Sequence, residues 1–330
     1  MQGFKALLVE EEQGQHRASV VERGVDELPA GDLLIDVRYS SVNYKDALSA
    51  RGNKGVTRNY PHTPGIDAAG IIIESDDAGF NAGDEVIVIG YDLGMNTAGG
   101  FGQRIRVPAG WAVPLPEGLT LRESMVLGTA GFTAALCIEK LLHNHVAPDR
   151  GDVLVTGATG GVGVVAVALL ARLGFRVVAS TGKQEQEGFL REAGAAEIVT
   201  RESLLDDSQR PLLKERWAAA VDVVGGETLA GVLKAINYGG SVACCGLVGS
   251  PALNTAVFPF ILRDVNLLGV DSVNQPLPRK TELWTKLATQ WKLDNLESLS
   301  TEIGLGELVD TLENIFQGIT VGRAVLNLQR

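Results

Sequence analysis

The chain has 330 residues, too many for one ordinary core, so two domains are expected. Forty glycines and a hydrophobic share of 45% suit an α/β protein with many tight turns, and a formal charge of −11 argues against nucleic acid as a partner. Cys137, Cys244 and Cys245 are too few for a disulfide framework, Cys244 and Cys245 read as core and near-core filler, and a reducing cytoplasm is the expected compartment.

The opening stretch MQGFKALLVEEEQGQ lacks the charged and apolar regions of a secretory signal. Residues 1 to about 125 read as β-rich: LLIDVRYSSV, GIIIES, DEVIVIG and QRIRV are short, β-branched and bounded by Gly, Pro and Asp. From about 126 strands alternate with helices, the strands expected at 153–156, 176–180, 197–199, 221–224, 241–245 and 266–270. Such alternation predicts a parallel sheet with helices on both faces. The longest apolar run, VVAVALLARLG, is too short to cross a bilayer, so no membrane partner is expected. A helical stretch near Lys280 to Lys292 and a closing strand RAVLNL end the chain. The expected organisation is a β-rich domain over 1–125, completed by 263–330, and a doubly wound parallel-sheet domain over 126–262.

The strongest chemical signal is VLVTGATGGVG at 153–163, a strand, a glycine turn and the start of a helix. Gly157, Gly160, Gly161 and Gly163, with Val162 between the last two, let backbone approach a pyrophosphate closely. The helix that follows aims its N–H groups and positive dipole end at that anion. An NAD site places an acid about twenty residues further on, to bind the ribose 2′-hydroxyl. Here Ser180, Thr181, Gly182 and Lys183 end the next strand, and the first carboxylate is Glu185. Small hydroxyls and a lysine suit a 2′-phosphate, which makes NADP(H) the expected cofactor. Arg201, after the short third strand, adds a fork of donors for the same phosphate; its alternative is a surface arginine.

The succession SVNYKDAL, PGIDAAG, GDEVIVIG, GTAGFTAAL, VTGATGGVG, YGGSVACCGL, PFILRDVNLLGVDS and a late VGR resembles the zinc-free quinone oxidoreductase branch of the medium-chain dehydrogenase/reductases. Within that branch it is similar to the NADPH-dependent acryloyl-CoA reductase group, and the resemblance runs essentially end to end. It implies a GroES-like catalytic domain with a Rossmann nucleotide domain, a cytoplasmic homodimer, and a small-molecule substrate that is an enoyl-CoA or a quinone. It also implies cofactor contacts at Tyr44, Gly160 to Gly163, Ser180 to Lys183, Arg201, Leu247, Ile261, Ser272 and Arg323. Arg323 reaches cofactor phosphate or substrate carbonyl on this reading, with an ordinary surface arginine as the alternative.

No metal is expected. The positions that resemble zinc ligands carry Asn43, Tyr44, Ile66 and Asp67, and His16, His62, His143 and His145 form no ligand set. Hydride transfer to a conjugated double bond then needs hydrogen bonds in place of a Lewis acid. Tyr44 is the leading candidate, as a proton donor to the developing enolate. The alternative is that Tyr44 packs on the nicotinamide while water supplies the proton. Asn43 is expected to orient substrate or Tyr44, and Lys45 with Asp46 to form an exposed pair without a chemical role.

Overall fold

The β-branched runs of the N-terminal third become strands in the computed structural model, which describes residues 3–330 except 207 and 209. They are β1 (Gly3–Glu12), β2 (Gln15–Gly24), β3 (Leu33–Val42), β4 (Asp67–Ser75), β5 (Glu85–Ile89), β6 (Arg104–Val107) and β7 (Ala112–Pro114). Helix α1 (Tyr44–Ala50) lies between β3 and β4, and α2 (Leu121–His143) follows β7. Next come β8 (Val153–Val155), α3 (Gly161–Arg172), β9 (Val177–Thr181), α4 (Glu187–Glu192) and β10 (Glu197–Thr200). The alternation continues with β11 (Trp217–Asp222), α5 (Gly226–Ala235), β12 (Ile236–Cys244), α6 (Phe258–Arg263) and β13 (Asn266–Gly269). The chain closes with α7 (Leu277–Ala288), β14 (Ser300–Ile303), α8 (Leu308–Phe316) and β15 (Arg323–Asn327).

These elements form two units, Met1–Thr129 with Ser272–Arg330, and Ala130–Asp271. The chain therefore leaves the second unit after 271, later than the expected boundary at 262. The reason is that β13 pairs in parallel with β12, from Ser241↔Asn266 to Cys244↔Gly269, so a backbone ladder holds residues 266–269 in that sheet.

The first unit contains the β1–β2 hairpin and a sheet in the order β14-β15-β3-β4-β5-β7, with β6 also on β3. Leu33, Ile35, Val37, Ile72, Phe101, Ile105 and Leu326 are almost wholly removed from water in its core. Burying one such side chain contributes about 1.5–3 kcal/mol. Antiparallel pairing of Ala324 with Val42 brings the C-terminal strand to the end of β3, a neighbourhood that local sequence does not encode.

The second unit is a six-stranded sheet in the order β10-β9-β8-β11-β12-β13, all parallel. Numbered from β8, this is the doubly wound 3-2-1-4-5-6 arrangement. The switch point lies between β8 and β11, so the turn after β8 opens where such sheets bind ligands.

One helix is longer and more apolar than the sequence reading allowed. By length and composition α2 can cross a membrane, but 83% of its apolar window is buried inside the protein. Gly128 (φ 50, ψ −157) breaks its helical geometry, so GTAGFT starts a second helical segment within it. The helix ends at His143, and His145 lies past it with φ 61.

Candidate active site

In the second unit the candidate residues gather at the carboxyl ends of β8 and β9. Gly157 turns the chain with φ +57, and a Cβ on Gly163 would lie 2.3 Å from the Gly157 carbonyl oxygen, so only glycine permits this approach. The first helical bond of α3 runs from Val164 N–H to Gly160 O at 2.9 Å. The N–H groups of Gly161, Val162 and Gly163 therefore point out of the helix start, as anion donors do. Asp222, at the end of β11, steadies this turn. It accepts hydrogen bonds from Thr156 Oγ1 at 2.7 Å and Gly225 N at 2.8 Å, and burial raises its pKa.

The end of β9 divides into buried and open parts. Ser180 and Thr181 are buried, against the expectation that their hydroxyls stand open to a phosphate. Thr181 Oγ1 instead accepts the Lys183 N–H at 3.0 Å and lies 3.2 Å from Thr159 Oγ1, which shapes the turn. Gly182 and Arg201 are exposed, and Lys183 is half-buried between them in sequence. A Cβ on Gly182 would lie 2.8 Å from Arg201 Nη2, which places the guanidinium over that glycine. Burial, and then Arg201, hold the Lys183 ammonium below its usual pKa. Two cations facing one another at strand ends suit a doubly charged phosphate. Leu247 (59% exposed) and Ile261 (69% exposed) offer large apolar surface past β12 and on α6.

The three cysteines lie near one another in the second unit, Cys137 buried and Cys244 and Cys245 partly so. Cys137 is hydrogen-bonded to Cys245, and that bond and burial push its thiol well above the usual range. Burial and Asp222 push Cys244 up to about 11. Protonated thiols are poor nucleophiles and poor metal ligands.

In the first unit the centre is Asp67, fully buried at the start of β4. Its Oδ2 accepts from Ser41 Oγ, from Asn43 Nδ2 at 2.9 Å and from Thr129 N at 2.9 Å, and its Oδ1 accepts from Thr129 Oγ1. Arg323, 2% exposed, donates to Val126 O (2.9 Å), Ser41 Oγ (2.8 Å) and Asn43 Oδ1 (3.4 Å). It is thus neither a surface arginine nor a side chain reaching outward. Burial lowers its pKa, while Asp67 and Asp46 act to raise it.

Asn43 is committed in the same way. Its Nδ2 also donates to Ser41 O at 3.2 Å, so both ends of the amide are engaged inside the unit. Asp46 is not half of an exposed pair: it is fully buried, and its carboxylate accepts from Asn43 N (2.8 Å) and Ile66 N (2.9 Å). Burial, then Asp67, push it up to about 7. These bonds cap α1 and present Tyr44 as its first residue. The half-buried Tyr44 ring lies parallel to Phe316, with centroids 6.2 Å apart, and no described residue hydrogen-bonds its hydroxyl. Arg51 Cζ stands 4.1 Å from the centre of the Phe316 ring and pairs with Glu313 at 2.6 Å, fastening α1 to α8. Ser272 lies just before α7 in this unit, half-buried.

Sequence reasoning missed Asp67 as a hub and Asp222 as a brace. Each is a lone acid in an apolar strand, and a buried acid must be hydrogen-bonded.

Residues 29–117 match the alcohol dehydrogenase GroES-like domain, and residues 161–289 match the zinc-binding dehydrogenase domain. The acrylyl-CoA reductase AcuI of Ruegeria pomeroyi is 44% identical over 327 residues, 98% of this chain and 99% of its own. The chain belongs to the medium-chain dehydrogenase/reductase superfamily. YhfP of Bacillus subtilis, named as a quinone oxidoreductase, is also 44% identical over 98% of this chain and 99% of its own. Its structure with NAD bound has a TM-score of 0.96, covering 99% of this chain and 100% of its own. The yhdH oxidoreductase of Salmonella enterica in complex with NADP is 44% identical with a TM-score of 0.95, over 98% of this chain and 99% of its own.

This medium-chain reductase is an NADPH-dependent oxidoreductase, and its glycine turn with Lys183 and Arg201 fits NADP(H). The zinc in the description of one matching domain does not fit. Asn43, Tyr44, Ile66 and Asp67 offer neither thiolate nor imidazole, and the Arg323 guanidinium already lies against Ser41 and Asn43.

Proposed function

We propose that the enzyme reduces the carbon–carbon double bond of a small activated enoyl thioester, acryloyl-CoA to propanoyl-CoA, without zinc. The reading is supported above all by identity of 44% to AcuI over nearly the whole of both chains. The chemistry left open at α1 agrees with it, because the Tyr44 hydroxyl is uncommitted among the described residues while the Asn43 amide is not.

When bound, NADPH supplies the hydride. Gly161 to Gly163 donate backbone N–H groups to its pyrophosphate, and Lys183 and Arg201 hold the 2′-phosphate. Gly160, Gly182, Leu247, Ile261 and Ser272 complete the binding surface. Tyr44 donates a hydrogen bond, and then a proton, to the charge that develops on the enolate. Asn43 and Arg323 act inside the protein, holding the start of α1 with Asp67, and not on the cofactor.

The test is NADPH oxidation by the purified protein with acryloyl-CoA, crotonoyl-CoA and a simple quinone in parallel. Fast turnover of acryloyl-CoA with propanoyl-CoA formed, and slower crotonoyl-CoA, is the expected result. Slow enoyl turnover beside rapid quinone reduction would make it an NADPH:quinone reductase instead.

A further inference from the structure

Lysine is rarely buried completely, yet Lys280, in the first turns of α7, is 0% exposed. Its Nζ donates to Ile89 O at 2.6 Å and lies 3.4 Å from the centre of the Tyr91 ring. The negative face of an aromatic ring attracts a desolvated ammonium. Tyr91 sits in the left-handed region with φ 52, which a non-glycine residue adopts only where its surroundings hold it. Its surroundings do so: the Trp111 ring stacks on it at 5.5 Å and 16°, beside the ammonium.

The same tyrosine grips a second segment. Tyr91 N donates to Val273 O at 3.0 Å, and Tyr91 Oη donates to Gln275 O at 3.1 Å. The loop that follows β5 and the stretch 272–276 ahead of α7 are thus tied through one residue, by its backbone N–H and its hydroxyl, and Lys280 holds its ring. Ser272 stands next to Val273 at the start of the tied stretch.

We propose that Lys280 is a positioning residue for NADPH binding: through Tyr91 it holds segment 272–276 in the conformation that presents Ser272 to the cofactor. The proposal rests on the reading of Ser272 as a cofactor contact. It makes the clasp act on cofactor affinity and leaves the proton chemistry at Tyr44 alone.

The experiment measures Kd for NADPH by fluorescence titration, with kcat, KM and melting temperature, for Lys280→Met, Lys280→Arg, Tyr91→Leu and Ser272→Ala. Lys280→Met and Tyr91→Leu should raise Kd and KM for NADPH about tenfold, with kcat within about twofold of wild type. Lys280→Arg keeps a cation on the ring and should recover most of that loss. If Lys280→Met does not fold, Tyr91→Leu carries the same split. An unchanged Kd in a folded Lys280→Met or Tyr91→Leu protein, with only the melting temperature lowered, would overturn the proposal. Weakened binding in both of those variants, with Ser272→Ala at wild-type affinity, would support the clasp and remove Ser272 as its point of contact.

Discussion

Replacing Arg323 with Met keeps the apolar stem and removes the guanidinium from the centre of the first unit. Asp67 is fully buried and would keep its bonds to Ser41, Asn43 and Thr129 with the adjacent cation gone. Removing one member of a buried charge pair costs about 3–5 kcal/mol, because the other charge stays behind in a poor dielectric. At about 2–4 °C per kcal/mol for a unit of this size, melting should fall by about 6–20 °C. Asp67→Asn alone strands Arg323 in the same way. The double variant strands neither charge, and the hydroxyls of Ser41 and Thr129 can turn to meet the new amide. Its loss should fall short of the sum of the two single losses by about 2 kcal/mol or more. Urea unfolding at neutral pH, followed by circular dichroism, measures all three. The reasoning fails if Arg323→Met stays within about 1 kcal/mol of wild type and weakens NADPH binding instead. The guanidinium would then serve the cofactor.

Lys183→Ala and Arg201→Ala should each weaken NADPH by about 1–3 kcal/mol, roughly ten- to hundredfold, and narrow its advantage over NADH; titration with both cofactors checks this. Tyr44→Phe keeps the stacking on Phe316 and should lower kcat by about 10²-fold or more with little change in NADPH Kd, whereas unchanged turnover would assign the proton to water. The fourth expectation concerns pH. Folding raises the Asp46 carboxyl from its ordinary 3.8 to about 7, so the folded chain holds a proton that the unfolded chain has released. The stability contributed by this group is full below about pH 4 and is lost as pH rises to about 7. Asp46→Asn should flatten that decline in a plot of melting temperature against pH, and equal slopes in variant and wild type would exclude the effect.

Much of the second unit was legible because its signals are local. A glycine turn between an apolar strand and an apolar helix needs only neighbouring residues, and each of the six strands overlaps its expected span, although β11 and β12 start earlier. The strand β11 starts at Trp217, ahead of the expected 221, because alanines at 218–220 are buried in the ladder although they carry little β-propensity. Residues whose role depends on distant partners were read wrongly. Asp46 looked exposed beside Lys45 until the Ile66 N–H arrived from across the loop. Arg323 was expected to reach the cofactor or the substrate, with a surface arginine as the alternative, because its partners, Ser41 and Asn43, lie some 280 positions away. Cys137 and Cys245 are brought together only when α2 packs near the end of β12.

By itself the sequence determined the fold class and the glycine turn for a dinucleotide. Each follows from which residue types stand within a few positions of one another. Only the tertiary structure decided which charges are buried and what meets them: Asp67 and Arg323 both on Ser41, Lys280 on the Tyr91 ring, Asp46 on the N–H groups of Asn43 and Ile66. Burial and pairing depend on where remote strands meet, and an isolated charge moved out of water costs several kcal/mol until that meeting supplies its partner.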